Sequence, residues 1–86
     1  MTVLIPSPLH SYTSGVSSVD ISGSTLGEVL DQLDARFPGL RFRIVDEHGR
    51  TRPHVHFFVG GHLERSLDRT VSPGDEIMIV CALSGG

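Results

Sequence analysis

Eighty-six residues at 9.3 kDa leave room for one small domain and no second core. With 38% apolar and 20% charged residues the chain is expected to fold, and a net charge of −3 argues against a binder of nucleic-acid phosphates. The longest unbroken apolar run, Ile77 to Leu83, is far too short to cross a bilayer and no signal peptide is visible, so a cytoplasmic domain without a membrane partner is expected.

The chain opens on a short β-branched and aliphatic run, Thr2 to Ile5, stopped by Pro6 and Pro8. Val16 to Ile21 then alternates, with Ser17, Val19 and Ile21 on one face and Ser18 and Asp20 on the other. Joined by the turn-rich stretch from Pro6 to Gly15, the two runs read as an opening hairpin. Thr25 followed by Glu28 forms a capping box, in which each side chain can satisfy a free N–H at a helix start. Leu26, Val29, Leu30, Leu33 and Phe37 follow at helical spacing as one apolar stripe, and Pro38-Gly39 ends the helix. Leu40, Phe42 and Ile44 alternate with Arg41 and Arg43, which predicts a strand with one buried face. After a turn at Asp46-Glu47-His48-Gly49, the segment His54–Val59 predicts a strand with Val55, Phe57 and Val59 on one face and His54, His56 and Phe58 on the other. Gly60-Gly61 suits a tight reversal, and Ser72-Pro73-Gly74-Asp75 has the residues of a type II turn. The closing strand, Glu76 to Cys81, directs Ile77, Ile79 and Cys81 inward and Met78 and Val80 outward, and residues 82–86 run on as a flexible tail.

A hairpin, one amphipathic helix and further strands make an α+β chain of the ubiquitin-like β-grasp kind: a mixed sheet of four to five strands packed on one main helix, in a single domain spanning 1–86. One sheet face must cover the helix stripe, leaving the other open. The last two residues carry the chemistry. Glycine has no side chain, so Gly85-Gly86 is a thin thread ending in a carboxylate, able to enter a narrow active site where a larger residue would clash.

Together these features resemble the MoaD/ThiS sulfur-carrier family, prokaryotic relatives of ubiquitin, over essentially the whole chain. The resemblance rests on Ile5-Pro6 with Leu9, on Thr25-Leu26-Gly27-Glu28-Val29-Leu30, on Arg36-Phe37-Pro38-Gly39-Leu40, on Asp46-Glu47-His48-Gly49-Arg50, and on Arg52-Pro53-His54-Val55. Its most specific part is the last stretch, from Pro73-Gly74-Asp75-Glu76 through Ile79-Val80 to Gly85-Gly86. It implies a co-substrate that is not an enzyme, or the small subunit of a synthase complex, with no bound cofactor. Gly86 would be adenylated by a ubiquitin-activating-type enzyme that consumes ATP, then converted to a thiocarboxylate. Ser84 and Gly85 would form the tail that carries it. The implied partners are that adenylating enzyme, a sulfur donor such as a rhodanese or cysteine desulfurase, and a downstream sulfur-accepting synthase. Two positions depart from the family pattern: Gly60-Gly61 replaces an Asn-Gly turn, and Cys81 stands where proline is common.

By alternation Phe58, Met78 and Val80 share the sheet face turned away from the helix, an exposed apolar patch suited to partner docking or to self-association. Cys81, the sole cysteine, can form no internal disulfide; it reads either as a small core residue or as a relay thiol near the tail. His54 and His56 share a strand face, but no third ligand completes a metal site at that spacing, and none is assigned. Arg41, Arg43, Arg50 and Arg52 read as a solvated face or a docking rim. A sulfur carrier and a ubiquitin-like modifier joined through Gly86 to lysines of other proteins both need the same adenylated tail. All seven basic residues are arginine, so this chain offers no lysine as an acceptor for itself. Cysteine, secondary-metabolite, molybdopterin and thiamin pathways are all served by such carriers, and the Ile5-Pro6 opening with Leu9 is closer to the first two.

Overall fold

The structure, a computed structural model, describes residues 1–82. Strict alternation of side chains makes its sheet two-sided. β1 (Thr2–Leu4) pairs antiparallel with β2 (Ser18–Asp20), placing Val3 opposite Val19. β3 (Val55–Val59) forms a hairpin with β4 (His62–Glu64) through Gly60 and Gly61, whose φ angles of 58° and 85° are the positive values a two-residue I′ turn requires. β5 (Glu76–Cys81) runs between the two pairs, parallel to β1 and antiparallel to β3, giving the order β2-β1-β5-β3-β4. The mixed five-stranded sheet and its helix are the β-grasp expected from the sequence.

Val3, Val19, Val55, Phe57, Val59, Ile77 and Ile79 line the inner face and are buried against Leu26, Val29, Leu30 and Leu33 of α1 (Leu26–Arg36). The helix begins as the capping box predicts, with the Glu28 N–H donating to Thr25 Oγ1 at 3.2 Å. The return bond differs by one residue, because Glu28 Oε1 accepts from the N–H of Ser24 at 2.8 Å. Two more N–H groups of the first turn are met from outside the helix, Leu26 by the Arg69 carbonyl and Gly27 by that of Leu67, so the connection before β5 closes over the helix start.

Three expectations are corrected. Leu40–Ile44 is not a strand but a short helix, α2, in the layer with α1. Its alternation L-R-F-R-I also places Leu40 and Ile44 four residues apart, and these two are buried while Phe42 is 54% exposed. The helical option wins because Gly39 turns the chain at φ 94° and Asp34 Oδ1 accepts from the N–H groups of Gly39 and Arg41, both at 3.1 Å. The fifth strand is instead β4, whose His-Leu-Glu sequence has only one apolar residue. The turn Ser72–Asp75 closes with the Asp75 N–H on the Ser72 carbonyl at 2.9 Å, but Gly74 lies outside the positive-φ region, so it is type I and not type II. The opening pair stands, shortened to three residues a side, and its connection contains a 3-10 helix, Ser7–Tyr12, that buries Leu9.

Candidate functional site

The outer face of the sheet carries the exposed apolar surface. Register sets Leu4 beside Met78, Met78 opposite Phe58, and Phe58 opposite Leu63, one apolar row across β1, β5, β3 and β4. Met78 and Leu63 are 40% and 45% exposed, and Leu4 and Phe58 are half-buried. Val80 and His56 face each other on the next rung toward the chain terminus. The predicted set Phe58, Met78 and Val80 is therefore brought together. Leu4 and Leu63 were missed: Leu4 was legible from its alternation with the buried Val3, whereas Leu63 lies on a strand that was not expected.

The face is bounded by Glu76 and Asp20 at one end, both beside Thr2, and by His54, His56 and Val80 at the other. From that second end the tail departs. The N–H of Ala82 donates to the His54 carbonyl at 2.7 Å, one rung beyond the Val55–Cys81 pair, so the ladder holds the chain up to the last described residue. Ser84, Gly85 and Gly86 lie outside the described residues. Gly86 is four residues past this rung in sequence.

Cys81 is half-buried and packs against the core on the inner side, as its alternation predicts. Burial pushes its thiol above the ordinary value, the reverse of the lowering by which reactive thiols are activated. Three of the arginines have different partners. Arg41 Nε lies 3.0 Å from Asp31 Oδ1, close enough for an ion pair though not aligned as a hydrogen bond. The Arg43 guanidinium stands over the Tyr12 ring at 5.6 Å, and that of Arg52 over the Phe42 ring at 4.7 Å. An open groove of about 620 Å³ is bordered by Arg50, Arg52, Glu64 and Arg65. Among the described residues no three His, Cys, Asp or Glu side chains converge as metal ligands, and no helix is long and apolar enough to cross a membrane.

The chain thus combines a sheet with one helix-covered face and one apolar open face with a sequence that ends in Gly85-Gly86 after the central strand. The ThiS family pattern matches residues 3–86. The chain is 34% identical to the sulfur carrier protein CysO of Mycobacterium tuberculosis across 91 aligned positions, covering 100% of this chain and 98% of the relative. A chain of the Amycolatopsis orientalis BexX/CysO complex superposes with a TM-score of 0.90 at 31% identity, covering 99% of this chain and 98% of that one. The crystal structure of Mycobacterium tuberculosis CysO, an antigen, gives a TM-score of 0.89 at 33% identity over 95% of this chain and 98% of that one. Sequence likeness and backbone agree over the same length, and the chain belongs to the ThiS family.

Proposed function

We propose that this chain is a sulfur carrier, a co-substrate whose Gly86 carboxylate is adenylated by an ATP-consuming partner and converted to a thiocarboxylate. The observation that carries this reading is the family match, which runs through Gly86, together with full-length likeness to proteins named as sulfur carriers. Adenylation supplies a leaving group: the carboxylate attacks the α-phosphorus of ATP, pyrophosphate departs, and a sulfur nucleophile then displaces AMP. The carrier's own part is to present the thread. Gly85 and Gly86 keep it narrow, and Leu4, Phe58, Leu63, Met78 and Val80 offer the partner an apolar surface beside the tail's point of departure.

Two kinds of partner use that face in turn, the adenylating enzyme and the synthase that accepts the sulfur. The likeness to a chain from the BexX/CysO complex supports a carrier that acts through a protein partner. The Ile5-Pro6 opening with Leu9 favours a cysteine or secondary-metabolite destination. The test is the intact mass of the untagged chain from its native host. We expect a species heavier by the exchange of one oxygen for one sulfur, mapped to Gly86. Gly86–Lys adducts on other proteins, with no thiocarboxylate, would replace this reading with that of a protein modifier.

A further inference from the structure

We propose that Arg52 is a positioning residue for the tail: it braces the segment on which the last rung of the sheet is hung. The inference rests on the carrier reading and concerns how the reactive end is aimed. Arg52 makes contacts with four of its parts. Its backbone N–H donates to the Ile44 carbonyl at 2.9 Å, and its own carbonyl accepts from the Val55 N–H at 2.9 Å. Its Nε–H donates to the Phe42 carbonyl at 2.8 Å, and its guanidinium carbon stands 4.7 Å from the centroid of the Phe42 ring.

These contacts tie the end of α2 to the turn Arg52–Val55, and that turn presents the His54 carbonyl to Ala82 at 2.7 Å. The Phe42 side chain, 54% exposed, contributes little to the core; its ring supplies the face on which the arginine rests. Pro53, with its φ confined near −65°, stiffens the step between the arginine and His54. Without the brace the His54–Ala82 rung frays, and the ladder releases the chain one rung earlier, at Cys81. A released Ala82 adds conformations that must be lost when the chain end enters an active site.

The experiment compares wild type, R52A and the milder R52K. Native-state hydrogen exchange on the isolated chain reads the brace directly. In R52A the Ala82 amide should exchange roughly tenfold faster, the scale set by losing one charged hydrogen bond, while Met78 and Ile79 in the middle of β5 keep their rates. R52K, which keeps a cation and a donor but not the planar group, should fall between; if R52A does not fold, R52K against wild type carries the same comparison. ATP–pyrophosphate exchange with the host's adenylating enzyme reads the consequence. Loss of aim should lower kcat about tenfold with KM unchanged, since the docking face is intact. Unchanged Ala82 exchange, or a rise in KM with kcat kept, would overturn the proposal. A wild-type chain that supports no pyrophosphate exchange overturns the carrier reading instead, and the amide exchange still reports on the brace alone.

Discussion

The two faces of the sheet are built from the same strands and from similar apolar residues one position apart, yet only one of them is covered by the helix layer. Phe57 is buried at 1% exposure in the core, while Phe58 beside it in sequence lies on the open face. Ile77 and Ile79 are covered by the helix layer; Met78 between them is exposed. Apolar character alone therefore does not say whether a side chain holds the fold together or waits for a partner. The side of the sheet decides, because a small domain has only one helix layer to cover it.

The sharpest way to break this comparison is to truncate the two phenylalanines separately. Phe57→Ala should cost about 3–5 kcal/mol, a large share of the stability of a domain this size, and urea denaturation measures it. Phe58→Ala should cost no more than about 1 kcal/mol in the same assay, yet weaken binding to the adenylating partner by about 2 kcal/mol, the scale of an interface hot spot. Titration calorimetry reads that loss. Equal destabilisation by the two changes would mean that the outer row is core and not a docking surface.

A smaller effect sharpens the inner side. Thr25→Ala removes the acceptor of the Glu28 N–H and should cost about 1 kcal/mol in thermal or urea unfolding, with partner affinity unchanged. The smallest effect belongs to Cys81, at the boundary where the core thins out. Burial favours its neutral thiol, so at neutral pH the folded chain holds less thiolate than the unfolded one. Alkylation should be slower than for an unfolded control at pH 7, and its rate should go on rising at pH values where the control has levelled off. A folded-state rate above that of the control would reverse the sign and restore the relay thiol as a reading.

Much of this arrangement was legible in the residues. The Thr25–Glu28 box and the stripe through Leu33 locate the helix because both signals lie within one or two turns of chain. Val55, Phe57 and Val59 alternate cleanly because β3 has one wet and one dry face. Gly60-Gly61 announces its turn through backbone freedom alone. The apolar patch was found in part for the same reason: Met78 and Val80 alternate with Ile77 and Ile79. Leu63 escaped notice because a three-residue edge strand with one apolar side chain carries no period.

From the sequence by itself follow the order of the principal elements, the face each long element buries, and the closing Gly85-Gly86 on which the proposed carrier chemistry rests. These depend on interactions between residues a few positions apart, so they are written into local spacing. Only the tertiary structure decided that Leu40–Ile44 coils, that Leu4, Met78, Phe58 and Leu63 form one row, and that Arg52 stands on Phe42 below the root of the tail. The five-residue segment fits both periods, and its neighbours break the tie by capping it. The row and the brace join residues distant in sequence, whose meeting depends on strand register and packing and leaves no mark in the spacing of either partner.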